Sequence, residues 1–158
     1  FYKKQQQSLS LLSGWSVVNL IYSPLATNNL FSPESTNDHF HQMNFSWNLL
    51  NVGIAGLGHI IVNKDSKKPW DMKTLYDKKK KAEKSIIINM GLDLAYMVTG
   101  LLLKNNSKKL TSEQSMNKGF GNSLILQGGY LLFYDAIFLM KLKKILIKKK
   151  TYKTKVTK

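Results

Sequence analysis

Residues 78–104 read KKKKAEKSIIINMGLDLAYMVTGLLLK. Five lysines crowd one flank and a sixth, Lys104, closes the other. The stretch between them, 85–103, carries one charge, Asp93, and is about as long as a hydrocarbon crossing requires, roughly 20 residues. Three further stretches repeat the pattern, at about 9–26, 45–62 and 120–140. All 24 lysines lie between or outside these four segments. The reading is an all-α chain, an integral membrane four-helix bundle whose transmembrane helices occupy about 9–26, 45–62, 85–103 and 120–140. Residues 1–150 form a single transmembrane helical domain, and 151–158 are expected to be a basic, frayed cytoplasmic tail.

Bulk composition conceals this. A net charge of +15 and a mean hydropathy of −0.23 describe a soluble basic protein, but the averages mix apolar spans with segments rich in lysine, asparagine and serine. Arginine is absent, and with it the planar fork that reads guanine edges and clamps phosphate with two bonds, so no nucleic-acid partner is expected. A soluble helical bundle binding nucleic acid stands as a minor alternative. Cysteine is also absent, which removes disulfides and thiolate chemistry.

If all four segments span, their connections alternate sides. The N-terminal arm carries two lysines, the connection at about 27–44 none, that at 63–84 nine, that at 104–119 four, and the tail nine. Twenty lysines therefore fall on one side and four on the other. The positive-inside rule places both termini and the second connection in the cytoplasm. The first segment has the outline of a cleaved leader, but Trp15, Asn19 and Tyr22 interrupt its core and Pro24 sits where cleavage would need small residues, so it reads as a retained helix. A few residues are expected to precede Phe1.

Pro69 suits a first helical turn, which predicts a short cytoplasmic interfacial helix at about 69–84 leading into the third span. Its run Lys78, Lys79, Lys80 and Lys81, and the run Lys148, Lys149 and Lys150 beyond the fourth span, are expected to bind anionic lipid headgroups.

Polar residues recur inside the spans at helical spacing. His41, Asn44, Asn48, Asn51, Ala55 and Gly58 share one face of the second; Asn89, Asp93, Tyr96 and Gly100 share one face of the third. Trp15, Asn19 and Tyr22 serve the first, and Gly121, Gln127, Gly128, Tyr134 and Asp135 the fourth. An unpartnered polar group in hydrocarbon costs several kcal/mol, so these faces should meet in a buried seam. Asp93 lies near mid-span with no lysine at its depth. Asn48, Asn51, Tyr96 and Gln127 are its expected partners, and with Asp135 these residues form either a register-setting network or an ion site. Glycines at 53–58 have no preceding strand and no following Lys-Ser/Thr, and read as close helix packing; Gly119–Ser123 reads as a turn opening the fourth helix. His39 and His41, near Glu34 and Asp38, are weak metal candidates of unspecific spacing. No nucleophile elbow, HExxH or acid pair is present, so no cofactor and no enzymatic role is expected.

Taken together, His41-Gln42-Met43-Asn44, Trp47-Asn48, Asn51–Gly56, Asn89–Asp93, Tyr96-Met97, Gly100, Gly119–Gly129 and Asp135 resemble a family of small bacterial integral membrane proteins of unassigned function, over about 15–140. The resemblance implies an integral membrane protein of a few helices and brings no activity with it.

The functional expectation is a non-enzymatic subunit or partner-binding module of a larger inner-membrane assembly, with anionic lipids and either protein partners or further copies around it. The principal alternative is a small ion- or proton-coupled transporter or channel built on Asp93. A membrane enzyme acting on lipid or quinone would need His59 or Asp135 open to the cytoplasmic leaflet.

Overall fold

The computed structural model describes residues 1–105 and 112–156, with side chains for 1–105 and 113–145. It is all-helical there: α1 (Tyr2–Ala26), α2 (Thr36–Ser66), α3 (Met72–Asn105) and α4 (Ser112–Val156). Each helix contains one of the four lysine-free stretches, and each is long and apolar enough to cross a membrane. All four overrun their stretch, since no proline or glycine in the flanking helical residues of α1, α2 and α3 breaks the backbone ladder and the lysines and glutamines there are good helix formers.

The connections are fastened by short caps. Between α1 and α2, Ser35 accepts from the backbone N–H of Asp38, and the Asp38 carboxylate accepts from the Ser35 N–H (3.0 Å), the Ser35 hydroxyl (2.7 Å) and the Thr27 hydroxyl. One carboxylate thus ties both ends of the connection to the start of α2. Ahead of α3, Asp71 accepts from the Thr74 N–H at 2.7 Å in the manner of an N-cap. Hydrogen bonds from the Thr74 side chain and backbone hold the Asp71 carboxyl below the usual carboxylate range.

This corrects the expectation at 69–84. Pro69 lies outside the helix, and no separate interfacial helix forms: residues from Met72 onward continue without a break into the third span. The stretch 119–123 is likewise corrected from a turn to the interior of α4.

Contacts between glycines and neighbouring backbone set the register. A Cβ on Gly121 would sit 2.5 Å from the Gly100 carbonyl oxygen, and one on Gly128 would sit 2.8 Å from that of Asp93, so α3 and α4 run antiparallel with their backbones nearly touching. The buried residues of α3 are Lys79, Ile86, Asp93 and Gly100, and opposite them on α4 lie Gly121, Gly128, Asp135 and Leu142. Both series repeat every seven residues, the spacing of a helix seam in coiled-coil packing. A Cβ on Gly119 would sit 2.5 Å from the Thr36 carbonyl oxygen, which sets the N-terminus of α4 beside that of α2, parallel to it. Of the glycines at 53–58, Gly58 faces Leu9 of α1, whereas Gly53 and Gly56 face open space; only part of that stretch serves close packing.

The packing is less symmetric than a four-helix bundle. α1 lies along α2, α2 along α4 and α3 along α4, while α1 meets α4 only narrowly. The backbone of α3 therefore lies along α4, and α3 reaches α2 only through a side-chain contact, Tyr96 against Trp47. The interior is also more polar than the exterior. Asn44, Asn48, Gln127, Ser16, Ser23 and Ser123 are among the most deeply buried side chains, while Val18, Leu25, Leu57, Ile61, Ile88, Val98, Leu102 and Phe133 stand exposed. His59 is half-buried near the end of α2.

Adjacent glycines on α4 give a test of the seam. Gly128→Ala is expected to destabilise the protein by roughly 1–3 kcal/mol, because its methyl meets the Asp93 carbonyl oxygen, which cannot move aside, as well as the Met97 side chain. Gly129→Ala, with open space around it, should be neutral or stabilising by up to about 1 kcal/mol. Unfolding of the detergent-solubilised variants measures both, and equal effects would contradict the register.

Candidate functional site

The buried polar groups gather at one junction, where α1, α2 and α4 meet. Trp15 donates its indole N–H to Gln127 Oε1 at 3.1 Å, and Gln127 Nε2 donates to Asn44 Oδ1. Asn44 Nδ2 then donates to Asn19 Oδ1 (2.8 Å) and to Ser23 Oγ (3.0 Å), and Asn19 Nδ2 donates to the Trp15 carbonyl oxygen (2.8 Å). The bonds close a circuit through three helices, each group passing the donor direction to the next, so that each polarises its neighbour. Asn48 joins from one turn along α2, donating to the Asn44 carbonyl oxygen at 2.7 Å. The indole of Trp15 also stacks on Tyr130, with centroids 3.9 Å apart, which fixes the orientation of its N–H.

Of the residues singled out from sequence, Asn48 and Gln127 belong to this circuit. Asn51 is buried one turn further along, with its Nδ2 unpartnered. Tyr96 is half-buried, edge-on to Trp47 at 4.7 Å. The expected network around Asp93 does not form. Asp93 is only 4% exposed, but its Oδ2 has no hydrogen-bond partner among the described residues, because α3 packs along α4 and not along α1 or α2, where the asparagine amides of the circuit lie. Asn89, expected on the same inward face, is exposed; the seven-residue seam selects Ile86 instead.

A second polar locus follows. Asp93 lies level with Gly128 in the α3–α4 seam, and Asp135 is buried one heptad further along α4. In antiparallel helices both side chains lean toward their own N-termini, hence toward each other. Both carboxyls are buried in the same seam, one heptad apart along it. The amide circuit can only hold and orient, since none of its groups titrates or attacks; the Asp93 and Asp135 carboxyls of the α3–α4 seam can exchange a proton or meet a cation.

The lysine runs fare differently from expectation. Lys78 is paired with Asp65 at 2.5 Å and lies over the Trp70 ring, and Lys79 is buried at 3% exposure in an ion pair with Glu83 at 2.6 Å. Two of the four headgroup candidates are thus committed within the chain, leaving Lys80 and Lys81 outward. The side chains of Lys148, Lys149 and Lys150 lie outside the described residues. His39 packs edge-on to Phe120 and His41 edge-on to Tyr22, on different sides of α2, while Asp38 is occupied in the cap. No group of three metal-ligating side chains occurs among the described residues.

Sequence reasoning placed Trp15, Asn19 and Asn44 on inward faces without assigning them to the site, and missed Ser23. The signal for Asn44 was present, since it sits between His41 and Asn48 on the most regular polar face of the chain. Ser23, four residues beyond Asn19, follows the same spacing.

The circuit generates a double-mutant cycle. Asn44→Leu and Gln127→Leu should each cost roughly 1–3 kcal/mol by leaving buried partners unsatisfied. The double variant should cost less than the sum by about 0.5–3 kcal/mol, because the second change removes a group already orphaned by the first. Additive losses in detergent unfolding would mean that the two amides act independently.

No curated protein and no solved structure matches the chain. A family model does, over residues 11–136, which takes in the amide circuit, the glycine seam between α3 and α4, and Asp93 and Asp135. With most of its length covered, the chain belongs to the family of unknown function DUF6992.

Proposed function

We propose that the chain is a small, non-enzymatic integral protein of the bacterial inner membrane that serves as a subunit or partner-binding module of a larger membrane assembly. Both termini and 64–84 face the cytoplasm, and 28–41 faces outward. The observation that carries the reading is the reversal of inside and outside: amides and hydroxyls fill the centre while leucine, isoleucine and valine cover the surface. In water such a surface would be a large aggregation-prone patch, whereas in lipid it is ordinary, and small and polar residues are what hold helices together there. Twenty of 24 lysines on one side supply the orientation. The single-sided docking of α3 supports the subunit role, because most of its apolar circumference is uncovered.

The buried carboxyl pair favours a second reading, proton- or cation-coupled transport through the α3–α4 seam. Two acids buried together without an adjacent lysine cannot both hold charge cheaply.

Topology is tested by cysteine labelling: cysteine at Ser35 should react with an impermeant maleimide in intact cells and cysteine at Ser66 should not, and the opposite pattern would reverse the orientation. A photo-crosslinker at Val98, exposed on α3, should capture one discrete membrane protein or a second copy; capture of lipid alone counts against the subunit reading. In proteoliposomes, Asp93→Asn keeps shape and hydrogen-bonding capacity but cannot titrate. A cation or proton flux that the natural chain carries and this variant loses, at unchanged stability, would establish the transport reading instead.

A further inference from the structure

Towards the lysine-rich end, α1 and α4 leave between them a cleft of about 210 Å³. Leu11, Phe133, Ile137 and Phe138 form its walls. Its inner end is closed where the Tyr130 hydroxyl donates to the Leu11 carbonyl oxygen at 3.5 Å. Along the cleft, Ser8 donates to the Tyr134 hydroxyl at 2.6 Å, and Gln7 adds a polar side chain beside Lys4 near the opening. At the outer end Lys4 and Lys141 line the opening, one from each helix. In the antiparallel register of Ser8–Tyr134 and Leu11–Tyr130, Lys141 lies about one turn further out than Lys4, and each side chain leans toward the N-terminus of its own helix, hence toward the other. Neither is in an ion pair among the described residues; Lys4 touches only Gln7 Oε1, at 3.2 Å. No acidic side chain lines the cleft.

We propose that this cleft binds an anionic phospholipid, with one acyl chain between α1 and α4 and the phosphate held between Lys4 and Lys141. The inference rests on the membrane placement proposed above. A neutral isoprenoid or quinone would fill the walls but leave the two ammonium groups at the opening without a counter-charge. A free phosphate would satisfy the lysines but leave the aromatic and aliphatic walls wet. An amphiphile with one negative head answers both, and the lysine-rich end is where the opening meets the headgroup layer.

The test is retention of lipid by the full chain, reconstituted in phosphatidylcholine bilayers containing a minor share of phosphatidylglycerol, extracted gently and weighed by native mass spectrometry. Retained phosphatidylglycerol in excess of its share of the bilayer is the expected result. Lys4→Gln with Lys141→Gln should reduce that preference by roughly fivefold per lysine. Lys3→Gln with Lys143→Gln removes the same charge outside the cleft and should leave the preference intact. Ile137→Trp fills the cleft with the charges kept and should abolish retention; Leu11→Trp, from the exposed opposite wall, serves the same purpose if Ile137→Trp lowers the unfolding temperature. Equal losses from the two lysine pairs, or undiminished retention with the cleft filled, would overturn the site and leave only diffuse attraction to the surface. A chain that fractionates as soluble protein without detergent would overturn the membrane placement itself, a result distinguishable because it precedes any lipid measurement.

Discussion

The Gln127 carboxamide is the contact on which the arrangement of helices depends. It accepts from Trp15 of α1 and donates to Asn44 of α2 while sitting on α4, so one side chain specifies the mutual position of three helices. Under the membrane placement proposed above, helices in hydrocarbon have no hydrophobic drive to associate, and each interhelical hydrogen bond contributes only about 0.6 kcal/mol on average. Specificity comes from the closure of the circuit. A slip of one turn along any of the three helices would strand several buried donors and acceptors at once, at a penalty larger than any single bond returns.

α3 is attached by a different principle. Its contact with α4 depends on the absence of side chains: Gly100, Gly121 and Gly128 let carbonyl oxygens approach where a methyl could not fit. Close backbone approach increases dispersion contact along the whole seam and fixes the seven-residue register that buries Asp93 and Asp135. The two interfaces of α4 thus divide the work. One face is a hydrogen-bonded junction with no titrating group, and the other is a glycine seam that encloses a pair of acids.

The two ends of the protein are chemically distinct for the same geometric reason. Because α1 opposes α2 and α4, and α3 opposes α4, the arm at Lys3 and Lys4, the connection around Asp65–Lys84 and the helix beyond Met140 collect at one end. There Lys78 is drawn to Asp65 and Trp70 and Lys79 to Glu83, so the lysine-rich connection is a folded element rather than a solvated run. The cleft opening at Lys4 and Lys141 lies at this end.

Helix number and approximate position were legible in the lysine spacing, because a charge inside hydrocarbon costs too much to be scattered freely and its exclusion leaves a visible gap. The polar face of α2 was legible too, since the spacing of His41, Asn44, Asn48 and Asn51 follows the helical repeat alone. The sequence could not say which helices α4 would lie between. That choice sends Gln127 toward Asn44 and leaves Asp93 on the opposite side with Asp135, although all four residues looked like members of one seam. Nor could it separate Gly128, which closes on a neighbouring backbone, from Gly129, which faces open space. Residues on one helix share a face by local geometry, and so their grouping is written in the chain. Partners on different helices are settled by rotation and register between helices, a property of pairs of surfaces that no single segment contains.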